Sequence, residues 1–241
     1  MKNSWIIAKR ELSAFFDSLI AYIMLALFLG FSGFFTWLYG NDIFLVGQAD
    51  LRGFFVVASW TLFFFIPAIT MRMLAEERRS GTLELLLTKR VNDWQVVLGK
   101  FTGTMLLVLI ALAATLIYPI TLSQLGDLDN GGTITGYLAL MLMSMAYTGI
   151  GLFASSITSN QIVAYLTALL IGLCFHIIFD VLAGSSTGFL GTLFDTLSTS
   201  SHFESMSRGV VDSKDIVYFL SLTFFGLFLA EQSLSKRQQY G

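Results

Sequence analysis

The sequence predicts an all-α, polytopic membrane protein with six transmembrane helices, and three observations carry that expectation. Of 241 residues, 55% are hydrophobic and 12% charged, about half the roughly 25% charged fraction of a soluble domain. The mean hydropathy is +0.74. Charge is also unevenly placed: residues 72–100 hold ten of the thirty charged side chains, and the stretch from Asn130 to Phe179 holds none. The net charge of −2 says little as a sum, because what matters is its division between the two membrane faces. A single cysteine, Cys174, excludes an intrachain disulfide.

Residues 1–18 are polar enough to stay out of the bilayer core. Trp5, Ala8, Leu12, Phe15, Phe16 and Leu19 nevertheless fall within roughly a 100° arc at 3.6 residues per turn. With Lys9 and Arg10 beside that arc, this is an amphipathic interfacial helix on the cytoplasmic leaflet, in contact with membrane lipid. The first span is expected over 19–39, an apolar run without a small-residue cleavage site, which favours a retained anchor. A second span, 54–71, contains Pro67, expected to kink it near its cytoplasmic end.

Residues 72–100 form the cytoplasmic segment, since six of the ten charges there are Lys or Arg. Ser80 and Gly81 interrupt one helix, Glu84 opens a short LELLL helix, and Asn92 with Gln95 reads as a capping box for the next. So short a helix needs a partner surface. The third span takes 101–125, with Pro119 kinking its outer end. Fifty uncharged residues are too many for one crossing, so Thr158–Gln161 must be an inner turn between a fourth span, 137–157, and a fifth, 162–179. Gly149, Gly151 and Ala154 offer small residues for close packing. Residues 180–215 form an outer segment of short re-entrant or interfacial helices, and the sixth span runs over 216–234. With both termini in the cytosol, eleven basic residues lie inside and three, Arg52, Arg208 and Lys214, outside. That bias sets a multi-pass topology, and the family resemblance given next implies that the membrane is a bacterial inner membrane.

The run EERRSGTLELLLTKRVNDWQVVLGK, residues 76–100, resembles the segment between the second and third helices of ABC-2 type permeases, nearest the gliding-motility (Gld) and copper-enzyme-maturation branches. Glu77, Gly81, Thr82, Glu84, Leu86 and Leu87, followed by Trp94, Gly99 and Lys100, carry the pattern, and Arg90 stands where relatives usually have proline. Arg10, Glu11, Leu12, Ala21 and Tyr22 resemble that family's opening helix, and residues 202–224 resemble the gliding-motility branch.

The resemblance implies one transmembrane domain, 1–241, whose coupling helix sits in a groove of a separate ATPase, two copies per assembly. It also implies a second permease, identical or a sibling with an extracytoplasmic domain. Arg78, Arg79, Leu83, Glu84, Leu86 and Leu87 are the expected ATPase contacts, and Trp5, Leu12, Phe15 and Phe16 belong to the amphipathic helix. What is implied is ATP-driven export, or movement of an outer partner, linked to gliding motility. Two alternatives stay open: a permease for copper or sulfur enzyme maturation, and a mechanotransmitting scaffold that transports nothing.

No phosphate-binding loop is present, since Phe101 follows Gly99 and Lys100 and Trp94 stands where its first glycine is needed. No cofactor is therefore expected in this chain, with ATP and Mg on the partner. No catalytic constellation or metal set is expected, and nothing suggests nucleic-acid binding. His176 and Asp180, four apart near the outer end of the fifth span, form a candidate outer polar pair. Met141, Met143 and Met145 read as packing rather than a copper path.

Overall fold

The computed structural model describes residues 2–38, 51–81 and 92–238. The candidate contacts Leu83, Glu84, Leu86 and Leu87 lie outside the described residues. Within those described, the chain is helical, with α1 (Lys2–Asp17), α2 (Leu19–Trp37), α3 (Arg52–Thr70), α4 (Ala75–Arg79), α5 (Asp93–Thr115) and α6 (Ile117–Leu125). Then follow α7 (Asn130–Ile157), α8 (Gln161–Leu173), a π turn (Cys174–Ile178), α9 (Phe179–Ser185), α10 (Phe189–Leu197), α11 (Thr199–Ser207) and α12 (Ser213–Gln238). Six stretches are long and apolar enough to cross a membrane: α2, α3 with α4, α5 with α6, α7, α8 through α9, and α12.

The fourth span, α7, is the hub, packing against α12, α3, α8, α11 and α5. Its apolar stretch is 78% buried inside the protein, against 22% for the fifth span. Small residues make this possible. At Gly226 an added Cβ would lie 2.5 Å from the carbonyl carbon of Gly149, so α12 and α7 cross backbone to backbone. Gly151 instead makes room for the Thr70 side chain of α3, and Ala154 is fully buried.

The two prolines act differently. Pro119 has no N–H to offer the carbonyl of Thr115, and the helix breaks there between α5 and α6. The Tyr137 hydroxyl takes that carbonyl instead, at 3.1 Å. Helix α3 runs through Pro67 to Thr70 and yields only over residues 71–74. Ser155, near the C-terminal end of α7, holds that break: its Oγ donates to Met71 O at 2.9 Å and accepts from the N–H groups of Leu74 and Ala75 at 3.1 and 3.0 Å.

Several helices overrun the expected spans: the third starts at Asp93 rather than 101 and the fourth at Asn130 rather than 137. The fifth span continues helically past Phe179 to Ser185, because the π turn absorbs an extra residue without ending the helix. The sixth begins at Ser213, which puts Asp215 in its first turn, paired with His202. At the other end of the bundle the expected turn is present: Asn160 Oδ1 accepts from Ile162 N at 2.9 Å and caps α8.

Candidate functional site

At one end of the bundle, α1 lies along the start of α5, and glycine is the reason. A Cβ at Gly99 would come within 2.6 Å of Ile7 Cβ, and one at Gly103 within 2.9 Å of Glu11 Cβ and 3.2 Å of Ala8 O. Spaced four apart, the two glycines form a flat strip against which the backbone of α1 rests. Asn3 Nδ2 donates to Gln95 Oε1 at 3.2 Å, and the same oxygen accepts from Asn92 N at 3.4 Å, one arm of the expected capping box.

That close approach sets Glu11 beside Lys100, whose side chain is only 1% exposed. Lys100 Nζ lies 3.1 Å from Glu11 Oε1 and 2.8 Å from Glu77 Oε1. Arg10 Nη2 reaches the same two carboxylates at 2.8 and 3.2 Å. Two acids and two bases from α1, α4 and α5 thus form one node, set where the chain leaves for and returns from residues 82–91. Next to it, the Arg72 guanidinium sits 5.5 Å above the Phe15 ring and donates to Ser18 Oγ at 3.4 Å. A cavity of about 240 Å³ lined by Phe15, Arg72, Glu76, Glu77 and Lys100 opens between α1 and α4.

Burial pushes the Glu11 carboxyl up, but the Lys100 charge and the hydrogen bonds from Arg10 and Lys100 outweigh it, and the net shift is down. Arg10 is raised, first through its hydrogen bond to Glu11. A carboxylate whose pKa is lower folded than unfolded adds stability above its unfolded value, and that stability is lost as pH falls through the folded one. The melting temperature of the purified protein is therefore expected to drop on acidification through the carboxylate range, and Glu11→Gln to remove part of that drop. An identical pH profile for the variant would show that Glu11 is not linked to folding.

The expected site residues divide as follows. Arg78 is half-buried and Arg79 exposed, both on α4 beside the node. On α1, Phe15 is buried and Leu12 and Phe16 pack partly against the core, whereas Trp5 is 58% exposed. The face on the protein is centred on Ile7, Ala8, Glu11 and Phe15, so the predicted stripe shares Ala8 and Phe15 with the contact while Trp5 and Leu19 lie outside it. His176 and Asp180 are not brought together by a hydrogen bond. His176 is buried, its Nδ1 3.1 Å from the Tyr147 hydroxyl and its ring stacked on Phe63, while exposed Asp180 accepts from Ser198 and Ser201 at 3.4 and 3.5 Å.

Sequence reasoning missed Lys100 as the centre of the node, although a lysine at the threshold of a long apolar run was the available signal. It missed His202 and Asp215 as well, whose Nδ1 and Oδ1 lie 2.6 Å apart.

Comparison with known proteins bears on this architecture. The family described as ABC-2 family transporter protein matches residues 46–230. The probable multidrug ABC transporter permease YbhR of Escherichia coli strain K12 is 28% identical over 101 residues, 42% of this chain and 27% of that relative. Its counterpart in E. coli O157:H7 gives the same figures. The match thus spans little more than a quarter of the length of these relatives. With six apolar helices that can cross a membrane and a family match extending from before the second span to near the end of the sixth, the chain belongs to the ABC-2 family of transporter proteins.

Proposed function

We propose that this chain is the membrane-spanning subunit of an ABC transporter and that it receives work from a separate ATPase, present in two copies, through residues 72–100. The observation that carries the proposal is the Arg10–Glu11–Glu77–Lys100 node. It ties the amphipathic helix to both chain ends of the 82–91 segment, so a push on that segment reaches α1, the second span and the third together. In this account Leu83, Leu86 and Leu87, at spacings of three and four, enter a groove of the ATPase, with Glu84, Arg78 and Arg79 setting orientation. Burying each leucine contributes about 1.5 to 3 kcal/mol before the costs of association.

The protein works in a bacterial inner membrane with both termini cytosolic, paired with itself or with a sibling permease carrying an extracytoplasmic domain. The likeness of residues 76–100 and 202–224 to gliding-motility permeases supports a role in surface motility or the secretion tied to it. ATP and Mg are held by the ATPase.

The test is recovery of the ATPase by tagged permease in detergent. Leu86→Ser with Leu87→Ser is expected to abolish recovery while leaving the membrane bundle monodisperse. Undiminished recovery at wild-type expression would place docking elsewhere. Topology has its own check, since α1 and α4 share one end of the bundle through the node. In a Cys174→Ser background, an impermeant thiol reagent on intact cells is expected to label Thr187→Cys and spare Ser80→Cys. The reverse pattern would invert the protein.

A further inference from the structure

Helix α3 leads from the charged node to a cavity of about 140 Å³ at the opposite end of the bundle, where the second span begins, the third and fourth are joined and α11 ends. The floor of this cavity is apolar and fixed. Leu51 and Phe55 are each 2% exposed, and a Cβ at Gly136 would run into the Phe55 ring, so the start of α3 is pressed onto α7. One wall is the cap of α7: Asp129 Oδ1 accepts from Gly132 N at 3.1 Å, and Asp129 O accepts from Thr133 Oγ1 at 2.7 Å. Gly209, at φ 92°, turns the chain after α11 against that cap, since a Cβ there would lie 3.4 Å from Gly132 N.

Both signs of charge line the cavity: Arg52 and Arg208, and Asp127 and Asp129. Of the basic residues Arg52, Arg208 and Lys214 at this end of the bundle, the first two converge here, while Lys214 turns to Asp212 at 3.4 Å. Arg208 meets Glu204 at 3.5 Å with its side chain 56% exposed, which leaves donors of its guanidinium for a ligand. Asp129 is engaged in the cap, whereas Asp127, just past the end of α6, is exposed. A simple anion would gain from the arginines and be repelled by the aspartates, and a simple cation would meet the reverse. A ligand that carries both signs a few bonds apart meets neither repulsion.

We propose that this cavity binds a phosphoethanolamine headgroup, its phosphate on Arg52 and Arg208 and its primary ammonium on Asp127. Guanidinium groups suit the phosphate because their donors form a planar fork. The volume, about 140 Å³, is well below the roughly 300 Å³ of the smallest drug-sized sites, so a headgroup fits and any chain attached to it stays outside. The rim is built for such a chain. Ile134, directly after Thr133, and Leu138, four residues on along the same face of α7, are 70% and 40% exposed, and Val210, two residues after Arg208, is 57% exposed. That rim favours a phospholipid as the source over a soluble headgroup. The inference depends neither on coupling to an ATPase nor on which face of the membrane this end occupies.

Native mass spectrometry of the full chain in detergent tests it, with phosphatidylethanolamine, phosphatidylcholine and phosphatidylglycerol of equal chain length titrated separately. The first phosphatidylethanolamine is expected to bind about tenfold more tightly than either of the others, the worth of one charge-assisted hydrogen bond. Asp127→Asn is expected to weaken phosphatidylethanolamine and to strengthen phosphatidylglycerol, because it removes an attraction for the one and a repulsion for the other. Arg208→Gln is expected to weaken both. Asp127 and Arg208 are exposed, so both variants keep the fold, which a monodisperse profile checks. Equal binding of the three lipids would overturn the site. So would Asp127→Asn lowering both lipids alike, the result of a merely structural role. Glycerophosphoethanolamine, which lacks acyl chains, distinguishes the sources. Displacement of the lipid only by a large excess would uphold the site with a phospholipid as its ligand, and displacement at equal concentration would uphold it with a soluble headgroup. No displacement at any excess would overturn recognition of the headgroup.

Discussion

Lys100→Met is expected to destabilise the protein by about 3 to 5 kcal/mol, the range for removing one partner of a buried ion pair. The loss comes less from the missing attraction than from what remains. Glu11 and Glu77 would be left facing each other with only the half-exposed Arg10 between them, their side chains 13% and 18% exposed. Methionine matches the length and apolar stem of lysine, so the effect isolates the charge. Neutralising the acids as well, in Lys100→Met with Glu11→Gln and Glu77→Gln, is expected to recover most of the stability, because no uncompensated charge is then buried. Thermal unfolding in detergent measures both. A single variant as stable as wild type would mean that the node is solvated and has no structural role.

Gly226→Val is expected to destabilise the protein by a different route. The new Cβ would lie 2.5 Å from the carbonyl carbon of Gly149, 2.8 Å from its oxygen and 2.9 Å from Ile150 N, all backbone atoms that no rotamer change can move. The hub span and the sixth span must separate, and overpacking of this kind costs about 1 to 3 kcal/mol or more. Gly30→Ala is the control: nothing lies within 4 Å of its added Cβ, and alanine favours a helix by about 0.5 to 1 kcal/mol over glycine. Size-exclusion profiles and melting temperatures are expected to show loss for the first and none for the second. Equal behaviour would mean that α7 and α12 do not cross at Gly149.

Much of this architecture could be read from the chain. Apolar runs and the division of charge foretell six spans because the bilayer imposes a length and excludes charge, and both constraints act locally on sequence. The turn at Thr158–Gln161 was legible because an uncharged stretch of fifty residues has to fold back. The partners of individual side chains were not. Glu11, Glu77 and Lys100 are separated by 66 and 23 residues in sequence, and it is the glycine strip on α5 that lets Glu11 approach Lys100. Spacing along a helix did not reveal the hydrogen-bond partners either: His176 is buried with its Nδ1 at the Tyr147 hydroxyl, while exposed Asp180 accepts from Ser198 and Ser201. Phe189, Leu190 and Leu193 were visible as apolar residues too few to span, but their common face needed the helix boundaries that Gly188, at φ 72°, and Ser198 provide.

The claim on which the account turns is that ATP-driven force passes through the charged node to the outer segment. Spin labels at Asp127→Cys and Thr187→Cys, both exposed and on separate segments that the proposed topology places outside, report it in the permease assembled with its ATPase in a lipid bilayer, again with Cys174→Ser. The distance between them is expected to shift when ATP and vanadate trap the ATPase. It is expected to stay at its resting value in the Lys100→Met, Glu11→Gln, Glu77→Gln variant, provided that variant still recovers the ATPase. An equal shift with and without the node would contradict the account, because force would then reach the outer face by another path.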